Sequence, residues 1–501
     1  MKHRVDMPIP LFADADGDDT IPLYRRAYAR LRDMIVRGVL RPGQRLPSSR
    51  TFATDLGVAR NTIEAAFAQL EAEGFITRKV GSGSYVSALT HSLMAPRSTP
   101  RSTPRSSPRS AARTLRGTAE HPALSKRGQL MAIAGPSAAA DVDATFGVCR
   151  PGIDVFPYEI WNRLMGRRSR RLDRRLLDEV PPGGLAGLRD AIATYVTAAR
   201  GVQCESSQVI VVSSTQQALD LVARLLLDPR DEVWLEEPCY AGATAAFRNA
   251  GARIIPTRVD AHGLDVDAGI RAAPHARMAY VTPSHQFPLG VTMTAERRLA
   301  LLAWAEKASA WIVEDDYDSE FRYSGRPIAA LQGLDRAGRT LYVGTFNKAM
   351  FPSLRLAYLV VPASLTAAAA NARQWLDGHT PAMTQAVMAD FINGGHFGQH
   401  LRTMRETYRT RRDALREAVD RYAAGRITLG ASEAGMHMVG WLPPGTDMSR
   451  LRERAARKHL YLRDVAAYYA RRAPGPGLVL NFASSPPSRI AQGVRALADL
   501  L

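Results

Sequence analysis

The sequence predicts an α/β protein preceded by a small winged helix-turn-helix segment, and three observations carry that prediction. Residues 141–501 alternate apolar β-type runs with amphipathic helical patterns, and run after run ends in polar residues. Residues 19–88 read as helix, glycine turn, helix and glycine-centred hairpin in that order. Between them, residues 89–140 hold an Arg/Ser/Thr/Pro repeat with no apolar residue to anchor a core.

In the first segment, Tyr24, Tyr28, Leu31 and Ile35 recur at helical spacing, with Arg25, Arg26, Arg30 and Arg32 between them. Gly38 and Pro42-Gly43 stop that helix. Ser48-Ser49 supplies an N-cap for a second helix carrying Phe52, Ala53 and Leu56. Gly57 gives a tight turn, and Arg60-Asn61-Thr62 opens a third helix with Ile63, Phe67 and Leu70 on one face. That helix start, with Glu64 just beyond it, is where base edges and phosphates are met. Residues 75–78 and 83–86 then alternate as two strands around Val80-Gly81-Ser82, a wing. Residues 41–86 resemble the winged helix-turn-helix domain of the GntR family of bacterial regulators. The resemblance implies contacts to double-stranded operator DNA from Arg50, Arg60, Asn61 and Thr62, with Gly83 at the wing tip.

Arginine recurs at 97, 101, 105, 109 and again 113, with Ser, Thr and Pro filling the gaps through 109, so the middle segment reads as a flexible tether. From 88 to 130 it holds eight Lys/Arg against one Glu, a local charge of +7 that also suits non-specific phosphate contact. The whole chain has a formal charge of +18 and a pI near 10.2, which favours a polyanionic partner. At 501 residues and 46% hydrophobic content it can bury a large core. Cys149, Cys204 and Cys239 are far apart and odd in number, which gives no disulfide framework or zinc spacing and fits a reducing cytoplasm. No signal-length apolar core opens the chain, and no uncharged apolar run is long enough to span a membrane.

In the large segment, Val209-Ile210-Val211-Val212 stops at Ser213-Ser214-Thr215-Gln216-Gln217, and a helix follows; a strand feeding a helix N-terminus is an anion site. Val233-Trp234-Leu235 leads into Glu236-Glu237-Pro238-Cys239-Tyr240, and Met278-Ala279-Tyr280-Val281 into Thr282-Pro283-Ser284-His285-Gln286. Trp311-Ile312-Val313 leads into Glu314-Asp315-Asp316-Tyr317-Asp318. Last, Leu341-Tyr342-Val343 leads into Gly344-Thr345-Phe346-Asn347-Lys348, with Arg355 before the next apolar run. In this fold class the strand C-terminal ends carry the ligand.

A buried ammonium is costly unless paired, neutralised or covalently used. Lysine is also the residue that forms Schiff bases with carbonyl cofactors. Taken alone, the Lys348 stretch fits either pyridoxal 5'-phosphate or a strand-loop-strand with a surface lysine. Pyridoxal phosphate further needs a carboxylate for the ring nitrogen, a donor for the phenolate oxygen, phosphate ligands and a flat group to stack on the ring. Asp315 or Asp316, Tyr317, the Thr215-Gln216 helix start with Thr345 and Arg355, and Tyr240 supply these in turn. The acidic run 314–316 has no histidine or further carboxylate grouped with it in sequence, so no metal is expected there.

This half resembles the fold-type I aminotransferases, and the whole chain resembles the MocR subfamily of GntR regulators. The residues that carry the resemblance are SSTQQALDLVARLL (213–226), EEPCY (236–240), TPSHQFPLG (282–290), EDDYDSEFRY (314–323) and GTFNKAMFPSLRLAYLVVP (344–362). It implies a mixed, mostly parallel central sheet and a homodimer. Lys348 would be the Schiff-base lysine, Asp315 the partner of the ring nitrogen and Tyr317 that of the phenolate oxygen. Tyr240 would stack on the ring, Thr215, Gln216, Thr345 and Arg355 would hold the phosphate, and His285 and Gln286 would lie near the ring edge. The effector would be pyridoxal phosphate itself or a small amine or amino acid. Three departures stand out: Asn347 replaces a serine before the lysine, Ser214 replaces a phosphate-loop glycine, and the late strand 477–483 lacks the arginine that holds a substrate carboxylate in catalytic aminotransferases. Arg471 and Arg472 lie close to that strand in sequence. The last departure favours a ligand-sensing regulator over the alternatives, a working aminotransferase with a DNA-binding appendage or a vestigial dimerisation scaffold.

Overall fold

The computed structural model describes residues 22–79, 82–87, 124–132, 144–147, 150–171, 173–324, 328–431 and 433–501. The arginine repeat at 97–113, the Val80-Gly81 wing tip and Cys149 lie outside the described residues. The chain divides into two compact units between Thr118 and Ala119.

The first unit has three helices, Leu23–Val36, Ser49–Leu56 and Arg60–Ala72, and a hairpin of β1 (Ile76–Lys79) and β2 (Gly83–Val86). Ser48 caps the second helix, its Oγ accepting from the Thr51 amide at 3.1 Å. Gly57 ends it in the left-handed conformation, φ 64°, which lets the chain turn at once into the third helix. The core is built by Ala27, Leu31, Ile35, Phe52, Ile63, Phe67 and Leu70, joined by Ile76 and Val86 from the hairpin. Ala27 takes the inward position of the first helix, while Tyr24 and Tyr28 are half-buried.

The second unit is centred on eight strands: β3 (Val209–Val212), β4 (Glu232–Glu237), β5 (Arg253–Asp260), β6 (Gly263–Leu264), β7 (Met278–Val281), β8 (Trp311–Asp316), β9 (Thr340–Thr345) and β10 (Ala357–Val360). Their order is β3-β10-β9-β8-β7-β4-β5-β6. Pairs β4–β5, β4–β7, β7–β8 and β8–β9 are parallel, whereas β10 runs antiparallel to both its neighbours and β6 to β5. Strands β3, β7, β8, β9 and β10 are buried along their whole length, which explains their unbroken apolar runs: helices cover both faces. Helix Thr215–Leu226 packs on one face with Ile210, Val212, Leu235 and Val343. Helices Ala186–Arg200, Ala382–Asn393 and His396–Tyr422 pack around Val209, Val211, Tyr342 and Tyr358 on the other. A smaller antiparallel sheet follows, β11 (Thr428–Leu429), β12 (His437–Trp441), β13 (Arg463–Asp464) and β14 (Gly477–Asn481), in the order β11-β12-β14-β13.

Candidate cofactor site and nucleic-acid interface

Asp315 and Asp316 end β8, and neighbouring strand residues face opposite sides of a sheet. The two carboxylates therefore part company. Asp316 Oδ2 lies 2.8 Å from Arg200 Nε and accepts from the Tyr342 hydroxyl at 2.7 Å. Arg200, itself buried, also donates to Ser284 Oγ at 2.9 Å and to the Ile328 carbonyl at 2.8 Å. Asp315 Oδ2 accepts from the Tyr280 hydroxyl at 2.7 Å, but Asp315 Oδ1 is buried without a hydrogen-bond partner. Burial pushes the Asp315 carboxyl up to about 7, against the pull of the Tyr280 hydrogen bond and the Lys348 charge. An acceptor left buried and unsatisfied costs about 1–3 kcal/mol. Asp316 Oδ1 is likewise buried without a partner, so the difference lies in charge: Asp316 is matched to the Arg200 guanidinium, whereas Asp315 is held by a neutral hydroxyl and fits a protonated ring nitrogen as its missing donor.

Tyr317 and His285 meet at 3.0 Å through the hydroxyl and Nδ1. Asp318 places both carboxylate oxygens 3.1 Å from the same Nδ1. His437, from β12, lies 5.2 Å from His285 centroid to centroid and directs Nε2 to the Pro288 carbonyl at 3.1 Å. Burial drives His437 down to about 3, and His285 pushes the same way, so this imidazole is neutral. His285, Asp318 and His437 bring one ligand atom each within 4.8 Å of one another. His285 is 2% exposed, and room for its ring depends on Gly435: a Cβ there would come within 2.0 Å of His285 Cε1. Gln286 is held wholly by protein. Its Nε2 donates to the Pro238 and Phe287 carbonyls at 2.8 and 2.7 Å and to Glu236 at 3.1 Å, and its Oε1 accepts from the Leu289 amide. That makes it a brace for the loops flanking the site.

Phe287 stands edge-on to Tyr240, Tyr317, His437 and Tyr468, with centroids 6.2, 5.9, 5.4 and 4.9 Å away. Behind it lie Val439, Val465 and Val479. Residue 479 is in the late strand, so the absent arginine is replaced by an apolar wall. On the phosphate side, Ser214 caps helix Thr215–Leu226, accepting from the Gln217 amide at 3.2 Å. Its φ is −169°, extended backbone open to any residue, so replacing glycine there brings no strain. Gln216 Nε2 donates to the Gly242 carbonyl at 3.0 Å, which ties this helix start to the Tyr240 loop. Thr345 Oγ1 accepts from the Asn347 amide at 3.2 Å, and Asn347 Oδ1 accepts from the Leu356 amide at 3.2 Å. Asn347 in place of serine thus holds the loop to the start of β10. Arg355 is exposed and left-handed, φ 52°, a strained conformation for arginine that clusters at ligand sites. Lys348 is half-buried in the turn beyond β9.

In the first unit, Arg50, Arg60 and Asn61 are exposed and Thr62 is half-buried. Glu64 is bound by protein: it accepts from the Ser49 hydroxyl and from Arg78 Nη1, the latter at 3.2 Å. Gly83 has φ 112° at the head of β2, and a Cβ there would approach Arg45 Nε to 3.1 Å. Arg45 therefore stands over the wing, a cation that residue spacing did not single out. Asp318 and His437 were missed as well. Asp318 lies inside the quoted EDDYDSEFRY motif, but nothing local marks His437.

Residues 163–497 match the family model for aminotransferase class I and II, and residues 23–86 match that for bacterial regulatory proteins, gntR family. The chain is 37% identical to the probable rhizopine catabolism regulatory protein MocR of Rhizobium meliloti, over 96% of this chain and 94% of that one. This chain belongs to the MocR-type regulators of the gntR family. As a MocR-type protein it is a DNA-binding transcriptional regulator, and its large domain is of the pyridoxal phosphate-dependent aminotransferase family. The transcriptional regulator TauR of Rhodobacter capsulatus is 32% identical over 82% of this chain and 84% of its own. A kynurenine aminotransferase of Pyrococcus horikoshii, solved in complex with PMP, superposes with TM-score 0.66 at 29% identity, covering 71% of this chain and 90% of that one. Among the described residues, no helix is long and apolar enough to cross a membrane.

Proposed function

We propose that this MocR-type regulator senses pyridoxal phosphate or an amine effector through a Schiff base on Lys348, and that the state of that link sets its affinity for operator DNA. The observation that carries the reading is Asp315: a buried carboxylate whose Oδ1 has no partner, facing a site that also holds the Lys348 charge. When bound, the cofactor supplies an aldehyde for amines and an electron-withdrawing ring. Asp315 would keep its ring nitrogen protonated. Tyr317, held by His285, would hold the phenolate oxygen, with Asp318 fixing the imidazole. Thr215, Gln216, Thr345 and Arg355 would hold the phosphate, and Tyr240 would lie on the ring. Val479 in the late strand speaks against ordinary amino-acid transamination, since no arginine on β14 holds an α-carboxylate. Arg50, Arg60, Asn61, Thr62 and the Gly83 wing would contact a double-stranded operator, with two chains reading two half-sites. An effector that prefers one arrangement of the units would shift their populations by its differential affinity.

Visible absorption of the purified protein, read beside operator binding with and without pyridoxal phosphate and amines, tests this. A cofactor band that amines shift together with DNA affinity is the expected result. A wild type with no band, or a Lys348→Ala protein whose DNA response matches the wild type, would overturn it. Repeated conversion of an amino donor to a keto acid would favour the enzyme instead.

A further inference from the structure

We propose that Arg463 recognises an anionic group on the amine effector, acting from the strand beside the one that lacks the expected arginine. This rests on the amine-sensing reading above. The register carries it. Val479 of β14 is paired with Val439 of β12 on one side and with Arg463 of β13 on the other. Directly opposed residues of an antiparallel pair emerge on the same face, with Cβ atoms about 4.5–5.5 Å apart. That face is the one turned to the site, because Val439, Val465 and Val479 are buried there with Phe287, and Tyr240 and Tyr317 pack against them. Arg463 therefore emerges beside Val479, one strand over from where a catalytic aminotransferase places its arginine.

Its present partners leave it able to serve. The Arg463 guanidinium donates to the Tyr461 hydroxyl and lies 5.4 Å over the Tyr461 ring, and it meets no carboxylate among the described residues. A half-buried, planar fork beside an apolar wall suits a carboxylate or sulfonate, and reduced solvent strengthens the pairing. Arg471 and Arg472 are exposed, and the Arg471 backbone amide donates to Glu237 Oε1 at 2.6 Å. They offer no such register with the wall. The effector class that follows is a primary amine carrying an anionic group, as opposed to a plain alkylamine.

The test uses the full-length protein loaded with pyridoxal phosphate. β-Alanine and γ-aminobutyrate are titrated against n-propylamine and n-butylamine, following the visible band and the calorimetric Kd. The acid-bearing amines should bind about 10- to 100-fold tighter than their alkyl counterparts. Arg463→Gln should erase that preference while leaving alkylamine affinity unchanged, Arg463→Lys should keep part of it, and Arg471→Gln should keep all of it. Thermal shift by millimolar propionate, which has no amine, reports the anion contact independently of any imine, and Arg463→Gln should abolish it. Equal affinities in the wild type, or a preference that survives Arg463→Gln, overturns the proposal. A propionate shift that depends on Arg463, without any amine response, sustains the anion contact and overturns the Schiff-base reading instead.

Discussion

Arg60 and Asn61 stand exposed at the start of a helix whose own first turn positions them. Asp315, His285 and Asp318 are 4%, 2% and 1% exposed, and partners 33 to 35 positions away hold them. The first arrangement leaves cations solvated and ready for phosphates, with little desolvation to repay and strong sensitivity to salt. The second removes carboxylates and imidazoles from water, so each must be satisfied by a fixed partner or by a ligand. Substitutions in the winged unit should thus weaken binding and spare the fold. Substitutions around the buried site should act on the fold, the cofactor or both.

The largest effect should come from Lys348→Ala, which removes the lysine proposed to carry the covalent link. The visible band of the Schiff base should vanish while the circular dichroism of the helices is retained. Next is Arg200→Met, which leaves Asp316 buried and unpaired; it should cost about 3–5 kcal/mol in denaturant unfolding of the large unit. Arg60→Ala and Asn61→Ala should change that transition by less than about 0.5 kcal/mol. Each should nevertheless weaken operator binding by about 1–3 kcal/mol in fluorescence anisotropy. If Arg60→Ala proved as destabilising as Arg200→Met, the contrast between the two regions would fail.

Two smaller effects sharpen the contrast. The folded Asp315 carboxyl is raised to about 7 from an ordinary value near 3.8. Between those values the folded state holds a proton that the unfolded state has lost, so stability is greatest below about pH 4 for this group and is lost as pH rises through 7. Glu236 and Glu314, raised to about 7 by burial, add in the same direction. Thermal stability without cofactor should therefore fall between about pH 4 and 7 and level off above that, and adding pyridoxal phosphate should flatten that slope by giving Asp315 a cationic partner. In the winged unit, Ser48→Ala removes a cap from a short helix and should cost about 1 kcal/mol with no change in the visible band.

Much of the candidate site's placement at strand ends was legible because strand ends and helix starts are local events. Thr215, Tyr240, Tyr317, Thr345 and Lys348 all follow apolar runs that proved to be β3, β4, β8 and β9. His285 and Gln286 were readable as neighbours beyond β7, but their different uses were not. One meets Tyr317 and Asp318, whereas the other braces two loops, and only contacts some 30 to 50 positions distant separate those roles.

By itself, the sequence determined the order of the winged helices, the alternation that builds the large α/β unit, and the lysine at the end of β9. Those features depend on residue periodicity and turn chemistry within a few positions. Tertiary structure decided which of two adjacent aspartates meets Arg200, that His437 of β12 approaches His285, and that Arg463 is paired with Val479. Each depends on strand register and on which face of a sheet a residue takes, and pairing between distant segments fixes both.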